Sequence, residues 1–199
     1  MLIFFKIYSY SSFFHARLTY LKLQELVNLI NQKHIILIGP MGAGKSTVGS
    51  ILAHKLGMKF YDIDDELEKC CGVSVNLIFE IEKEKGFRKR ETQMLSKLLN
   101  KPPAIIATGG GIIVTPENIN ILKQSQSSII YLKTDVKQQL YRLRKDKKRP
   151  LLQCGDRKLK LQNMAQIRNP LYDSIATITV KTAHQSAYKM ATIIIKHYL

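Results

Sequence analysis

Residues 34–47 read HIILIGPMGAGKST. The run of β-branched and leucine side chains from Ile35 to Ile38 is typical of a buried parallel strand. Residues 39–46 then fit the pattern G-x-x-x-x-G-K-[ST] of a phosphate-binding loop. From Thr47 onward the apolar residues recur with helical spacing, so a helix N-terminus is expected to face the bound anion. A strand, a glycine-rich turn and a helix in this order predict a nucleoside-triphosphate site.

The residue types in this loop suit the chemistry of phosphate binding. Glycines let the backbone curl closely enough for successive N–H groups to point at phosphate oxygens. The Lys45 ammonium supplies charge for the β- and γ-phosphates, and the Ser46 hydroxyl can hold Mg²⁺. The predicted ATP contacts in the loop are Gly42, Ala43, Gly44, Lys45, Ser46 and Thr47.

Composition narrows the choice of partners. The 199 residues suffice for one domain with an appendage, and 31 basic against 15 acidic residues give a net charge of +16. This charge suits anionic ligands, but the lysines are spread along the chain without the interleaved aromatic residues of RNA-binding modules. We therefore expect a nucleotide and an acidic metabolite as ligands, and no nucleic acid.

Cysteine spacing argues against a disulfide-bonded or metal-binding protein, and the lack of long apolar runs argues against a membrane protein. Cys70, Cys71 and Cys154 have neither a disulfide pattern nor a metal-site spacing, which favours reduced thiols in a cytoplasmic protein. No apolar run approaches the roughly 20 residues of a membrane span, so no membrane partner is expected.

Residues 1–32 differ in composition from the rest of the chain. They are rich in aromatic residues and serine, and no acidic residue precedes Glu25. Low acidity together with Arg17 and Lys22 leaves organellar targeting open, but an N-terminal extension or a weakly ordered arm is the favoured interpretation. We expect residues 33–199 to form the functional domain, located in the cytoplasm.

A second short strand is expected to end at a pair of carboxylates. Residues 58–65 read MKFYDIDD, so Asp62 and Asp64 leave the strand on one side at its carboxyl end, where α/β sheets bind ligands. There Asp62 could contact Mg²⁺ through water, and Asp64 could bind a substrate hydroxyl. Alternatively, Asp64 or Asp65 caps the helix expected from Glu66.

Two further features suit an anionic substrate. Arg88 lies in a basic stretch at the expected start of a helix, where the macrodipole disfavours cations unless an anion is near. It is therefore a candidate carboxylate clamp, with a solvated surface residue as the alternative.

The strand expected over residues 104–108 runs into three glycines, residues 109–111. These permit either a close approach of the backbone to a ligand or a simple tight turn.

The densest basic run lies at residues 142–152. A mobile basic segment beside a nucleotide site is typical of a lid that excludes water on closure, and we predict one over about residues 145–160. The alternative is a solvated helix end, where basic residues are common. The next helix is predicted to run from Arg157 to Arg168 and to end at Asn169-Pro170.

Strands alternate with helices along the chain, which predicts an α/β protein with a parallel sheet covered on both faces. Over residues 33–198 the sequence resembles the bacterial shikimate kinases. The resemblance rests on six segments: GPMGAGKST at 39–47, FYDID at 60–64, GFR at 86–88, ATGGG at 107–111, RPLL at 149–152 and RNPLY at 168–172. The phosphate loop is generic, whereas the carboxylate pair, the three glycines and the RNPLY segment are together specific to the family.

The resemblance implies a fold, a reaction and a set of roles. The fold is that of a P-loop kinase, with five parallel strands in the order 2-3-1-4-5 as in nucleoside-monophosphate kinases. The reaction transfers the γ-phosphoryl group of ATP to the 3-hydroxyl of shikimate, with one Mg²⁺ per subunit, in a chain expected to be a monomer. The implied site residues are Lys45, Asp64 and Arg149 for catalysis, Asp64, Arg88, Gly110 and Arg168 for shikimate, Arg149 and Gln185 for ATP, and Ser46 with Asp62 (through water) for Mg²⁺.

Two other functions stay open. A kinase directed at gluconate or at a nucleotide would share the architecture, and the net charge of +16 allows a nucleic-acid-binding ATPase. The substrate side discriminates between these functions. Arg88 and Arg168 suit a small carboxylate, whereas an ATPase needs a water-orienting residue that the sequence does not show.

Overall fold

The fold is built on a five-stranded parallel β-sheet. The computed structural model describes residues 33–144, 156–182 and 185–198. Helices follow the strands along the chain, as predicted. In chain order the elements are β1 Ile35–Ile38, α1 Lys45–Leu56, β2 Lys59–Asp62, α2 Ile63–Cys71, α3 Val75–Leu99, β3 Ala104–Ala107, a 3-10 turn Ile112–Val114, α4 Pro116–Gln124, β4 Ser128–Lys133, α5 Val136–Leu143, α6 Arg157–Ile175, β5 Ile178–Lys181 and α7 Ala187–Tyr198.

The strands lie in the order β2-β3-β1-β4-β5, and every pairing is parallel. This confirms the predicted order 2-3-1-4-5. The central strand is β1, in which Ile36 pairs with Ile106 of β3 on one side and with Ile129 of β4 on the other. Parallel strands present their carboxyl ends at one edge of the sheet. The phosphate loop follows β1, the carboxylate pair begins at Asp62 where β2 ends, and the three glycines lie just after β3, so the strand order brings them together.

Helices cover both faces of the sheet, which explains why β1 and β3 are apolar throughout. No residue of β1 or β3 is more than 1% exposed. On one face, Ile36, Ile38 and Ile106 pack with residues of α3 and α6 in the main hydrophobic core. On the other face, α1 packs against β1, β2 and β3 and against α7. The strands thus read as continuous hydrophobic runs because they are buried from both sides.

The helix predicted to end at Asn169-Pro170 continues to Ile175 as α6, so that prediction is wrong. Pro170 lacks a backbone donor, which normally favours a break. Here the residues on either side of it are held by tertiary contacts: Arg168 and the fully buried Tyr172 both donate to the carbonyl of Gly110. Packing therefore overrides the local preference.

The start of α2 also differs from the prediction. The helix begins at Ile63 rather than Glu66, and its N-cap is Asp62, not Asp64 or Asp65. The Oδ1 atom of Asp62 accepts the backbone N–H of Asp64 at 3.0 Å. The carboxylate that ends β2 therefore caps the helix that follows, and Asp64 belongs to its first turn.

Arg88 does not lie at a helix N-terminus, contrary to the prediction. It is part of α3, whose helical backbone is interrupted at Lys83, where φ is +58°, rather than at Gly86. Arg88 falls in the second turn after this break. The macrodipole argument therefore does not apply to Arg88, and ion pairs hold it instead.

Much of the predicted lid, residues 145–155 including Arg149, lies outside the described residues. The remaining residues, 156–160, open α6, where the side chain of Asp156 accepts the backbone N–H groups of Lys158 and Leu159. None of the described helices is long and apolar enough to cross a membrane.

Candidate active site

The phosphate loop joins β1 to α1 through a backbone that requires glycine. Gly39, Gly42 and Gly44 have φ values of +139°, +75° and +93°, which other residues rarely adopt. Gly39 also leaves no room for a side chain, because a Cβ atom there would lie 2.7 Å from the carbonyl oxygen of Leu132. The loop leads directly into the N-terminus of α1 at Lys45, the arrangement that binds phosphate groups in proteins.

Lys45 lies over this loop. Its side chain is nearly buried, and Nζ donates to the carbonyl oxygens of Gly39 at 2.7 Å and Pro40 at 2.9 Å. These contacts fold the long side chain back along the loop instead of into solvent. The ammonium charge is therefore held at the place where phosphate oxygens bind in loops of this type.

The two residues predicted to bind Mg²⁺ are hydrogen-bonded to each other. The Ser46 hydroxyl donates to Oδ2 of Asp62 at 2.5 Å, while Oδ1 of Asp62 accepts the N–H of Asp64. Both side chains offer hard oxygen ligands, and Mg²⁺ at phosphate sites usually takes one or two protein ligands together with phosphate and water. The donor set fits Mg²⁺. The described residues contain no cluster of three or more His, Cys, Asp or Glu that could hold a metal by itself.

A cavity of about 560 Å³ adjoins the phosphate loop. Its wall brings together Asp64, Arg88, Gly110 and Arg168, the four residues that the family resemblance assigns to the substrate. Met41 of the phosphate loop also lines it, so the cavity borders the nucleotide site. The wall carries two guanidinium groups and five carboxylates. The guanidinium groups offer paired donors for the carboxylate of a small acidic metabolite, and Asp64 offers an acceptor for its hydroxyl groups.

Two carboxylates of α3 hold Arg88 in this wall. Its Nη1 donates to Glu91 Oε2 at 2.7 Å, and its Nη2 donates to Glu84 Oε1 at 3.2 Å. Glu91 is fully buried, and its Oε1 has no hydrogen-bond partner among the described residues. Burial raises the pKa of Glu91, against the lowering effect of the Arg88 guanidinium. Glu91 was not among the predicted site residues, although its spacing of three from Arg88 on a helix was an available signal.

Each of the three glycines after β3 faces an atom that a side chain would strike. An added Cβ would lie 2.7 Å from Glu91 Oε1 at Gly109, 3.1 Å from Met41 N at Gly110 and 2.2 Å from Arg88 Nη2 at Gly111. Contacts this short require a neighbour to move. The three glycines therefore let the backbone pass between the phosphate loop and the Arg88–Glu91 pair, which favours the close-approach interpretation over a simple turn.

The second guanidinium of the cavity comes from α6. Arg168 Nη1 donates to the carbonyl oxygen of Gly110 at 3.2 Å, and the Tyr172 hydroxyl donates to the same oxygen at 2.5 Å. Tyr172 belongs to the RNPLY segment, but its residue type alone did not indicate a role. Its contact with Gly110 spans 62 residues of sequence, so no local pattern could show it.

Arg142 of α5 joins the phosphate loop to the end of β5. Its Nη1 donates to the carbonyl oxygens of Gly42 at 3.0 Å and Ala43 at 3.3 Å, and its Nη2 donates to the carbonyl of Thr182 at 3.3 Å. Arg142 was not a predicted site residue.

Gln185, predicted to contact the adenine, lies half-buried just before α7 and is not part of the cavity wall.

Sequence comparisons identify relatives of the chain. A family model described as shikimate kinase matches residues 41–198. The shikimate kinase of Actinobacillus succinogenes is 46% identical over 168 residues, which are 84% of this chain and 95% of the relative. The shikimate kinase of Legionella pneumophila (strain Corby) is 42% identical over 171 residues, which are 86% of this chain and 97% of the relative.

Solved structures agree with these relatives. Shikimate kinase from Acinetobacter baumannii, in complex with shikimate, is similar with a TM-score of 0.81 and 42% identity, over 85% of this chain and 95% of that one. Shikimate kinase from Aquifex aeolicus has a TM-score of 0.69 and 33% identity, over 82% and 94%. A gluconokinase from Sinorhizobium meliloti shares the fold alone, with a TM-score of 0.54 and 14% identity over 81% and 89%. The chain belongs to the shikimate kinase family.

Proposed function

We propose that the chain transfers the γ-phosphoryl group of ATP to the 3-hydroxyl of shikimate, a step of aromatic amino acid biosynthesis by way of chorismate. Family membership supports this reaction and makes the chain an ATP-dependent phosphotransferase with an alcohol group as acceptor. The observation that carries the proposal is one cavity in which Asp64, Arg88 and Arg168 lie beside Met41 of the phosphate loop.

In this cavity, the acceptor site, Arg88 and Arg168 bind the shikimate carboxylate. A guanidinium offers paired N–H donors that match a planar carboxylate. Arg88 Nε has no hydrogen-bond partner among the described residues, which is consistent with a ligand acceptor beside it. Asp64 accepts from the ring hydroxyls and orients the 3-hydroxyl, and Gly110 supports the clamp through its backbone.

The nucleotide side supplies positioning and charge rather than covalent chemistry. Backbone N–H groups of the loop bind the β- and γ-phosphates, and Lys45 stabilises the negative charge that develops during transfer. Arg142 holds the loop from the side of β5. The proposed ATP contacts are Gly42, Ala43, Gly44, Lys45, Ser46, Thr47, Arg149 and Gln185, with Arg149 reaching the phosphates and Gln185 the adenine.

One Mg²⁺ per subunit would be held by the Ser46 hydroxyl as a direct ligand and by the Asp62 carboxylate through water. When bound, such an ion neutralises charge on the β- and γ-phosphate oxygens. The chain's own contribution is orientation: the N–H of Asp64 holds the Asp62 carboxylate, which in turn holds the Ser46 hydroxyl at the sheet edge.

We further propose that residues 33–199 are the catalytic domain and residues 1–32 an N-terminal extension. All six segments that resemble the family lie beyond residue 33. The protein is proposed to act as a cytoplasmic monomer, with ATP and shikimate as its partners and neither nucleic acid nor membrane among them.

A coupled assay of ADP release tests the proposal against its alternatives. The full chain is incubated with ATP and Mg²⁺ alone and then with shikimate, gluconate, AMP or a polynucleotide. We expect ADP release with shikimate, and phosphorus NMR of the product should show the phosphate on the 3-oxygen. Equal release with gluconate or AMP would assign a different acceptor, and stimulation by the polynucleotide would contradict the kinase proposal.

A further inference from the structure

The carbonyl oxygen of Gly110 is the point where α6 contacts the turn after β3. It accepts two hydrogen bonds, one from Arg168 Nη1 and one from the Tyr172 hydroxyl. The two donors are four residues apart and therefore lie on one face of the helix. A carbonyl oxygen has two lone pairs, so a single turn of α6 uses its full accepting capacity.

The Tyr172 hydroxyl is a well-fixed donor. Its ring is fully buried and stacks on that of Tyr131, with ring centroids 4.9 Å apart and an angle of 27° between the planes. Burial raises the pKa of Tyr172, so the hydroxyl keeps its proton at any physiological pH. The stack holds the ring in place, and the hydroxyl keeps the proton that it donates to Gly110.

The two hydrogen bonds to this carbonyl also fix the orientation of the peptide group between Gly110 and Gly111, neither of which has a side chain. The bond between Gly110 and Gly111 is planar and trans, so the N–H of Gly111 points opposite to the carbonyl of Gly110. Gly110 packs against the backbone of Met41, and Gly111 packs against the guanidinium of Arg88. The orientation of this peptide therefore matters to both arginines of the acceptor site: Arg168 bonds to it, and Arg88 lies against it.

We propose that Tyr172 is a positioning residue for carboxylate binding in the acceptor site: by holding the Gly110 carbonyl, its hydroxyl sets the places of Arg168 and of the backbone beside Arg88. This inference rests on the proposed function, because the carboxylate in question is that of shikimate. Tyr172 touches no reacting atom and acts through Gly110.

The matched pair Tyr172→Phe and Tyr131→Phe tests the inference in the full chain. Both substitutions remove one hydroxyl from the same buried stack, but the Tyr131 hydroxyl donates to Asn169 Oδ1 at 3.1 Å and not to Gly110. Dissociation constants for shikimate and ATP are measured by calorimetry, together with kcat, KM and thermal stability. For Tyr172→Phe we expect the Kd and KM for shikimate to rise about 3- to 10-fold, with kcat and ATP affinity nearly unchanged.

The control variant separates positioning from stability. Tyr131→Phe should lower the melting temperature by about as much as Tyr172→Phe does, and it should leave the Kd for shikimate unchanged. Shikimate methyl ester gives a second readout, because its blocked carboxylate should make kcat/KM much less sensitive to Tyr172→Phe.

Equal shikimate affinity in Tyr172→Phe and the parent chain would overturn the inference, as would an equal loss of shikimate affinity in both variants. Failure of the parent chain to phosphorylate shikimate would instead refute the proposed function.

Discussion

Arg88 Nη1 lies 2.7 Å from Oε2 of the fully buried Glu91, and both residues line the acceptor site. A carboxylate in this position fixes the plane of the guanidinium and so the direction of its other donors. Removing one member of a buried ion pair leaves the other charge without compensation. The pair therefore links the stability of α3 to the geometry of the carboxylate clamp that we propose.

Glu91→Gln should change how the free energy of unfolding depends on pH. Burial raises the pKa of Glu91 above its ordinary value of 4.5, although the Arg88 guanidinium lowers it. Between the pKa of Glu91 in the unfolded chain, 4.5, and its higher pKa in the folded chain, the folded chain binds more protons than the unfolded chain. The contribution of Glu91 to the free energy of unfolding is therefore complete below pH 4.5 and is lost as the pH rises through the folded pKa. Glutamine cannot lose a proton and lacks this decline.

Urea unfolding of both proteins from pH 4.5 to about 8 measures the effect. The stability of Glu91→Gln relative to the parent should increase with pH. Glu84→Gln is the control, because Glu84 bonds to the same guanidinium but its side chain is 56% exposed. A stability difference for Glu91→Gln that stays constant over the whole range would contradict the prediction.

Gly111→Ala should weaken shikimate binding without straining the backbone. Gly111 has φ −106°, which alanine adopts readily, but the added Cβ would lie 2.2 Å from Arg88 Nη2. The guanidinium must move, and we expect the Kd for shikimate to rise about 10-fold or more. In an Arg88→Ala background the same substitution should add little, because the group it displaces is gone. Fully additive effects in this double-mutant cycle would show that Gly111 acts elsewhere.

Arg168→Lys keeps the charge but loses the planar guanidinium, which donates to the carbonyl of Gly110 and which we propose also binds the shikimate carboxylate. Loss of a charge-assisted contact in a closed site costs about 1.5–3 kcal/mol, or roughly 10- to 100-fold in the Kd for shikimate. ATP affinity should change much less, because the phosphate loop is intact. Calorimetry measures the dissociation constants for shikimate and for ATP. A loss of ATP affinity as large as the loss of shikimate affinity would place Arg168 on the nucleotide side.

Lys45→Met removes the ammonium that lies over the phosphate loop and keeps an unbranched side chain of similar length. We expect kcat to fall by a factor on the order of 100 to 1,000, with the melting temperature nearly unchanged. Lys55→Met is the matched control in the last turn of the same helix, where Lys55 lies over the Tyr188 ring. Loss of folding in Lys45→Met alone would make Lys45 a structural residue rather than a catalytic one.

A chain that begins at Lys33 should retain the activity of the full chain. The phosphate loop and every residue of the described cavity lie within residues 33–199, so we expect turnover within about twofold and a melting temperature within a few degrees. Steady-state kinetics and thermal unfolding of both forms measure this. Insolubility of the shortened form, or a loss of several degrees, would show that residues 1–32 stabilise the fold.

Local chemistry made much of the architecture predictable. The strand from Ile35 to Ile38, the loop after it and the strand over residues 104–108 follow from apolar runs that end in glycine. Their carboxyl-terminal loops meet because parallel strands share one ligand-binding edge. Helix boundaries were less predictable, as α6 shows by continuing through Pro170: tertiary bonds from Arg168 and Tyr172 outweigh the missing backbone donor.

The sequence by itself determined the nucleotide-binding half of this protein, since the residues of a phosphate loop are neighbours in the chain and act through their own backbone. Only the tertiary structure decided which further side chains hold the acceptor site and the phosphate loop in place. Arg142 reaches Gly42 across 100 residues, and Tyr172 reaches Gly110 across 62. Such contacts depend on how helices pack on the sheet. That packing depends on the whole buried core, and no short stretch of sequence encodes it.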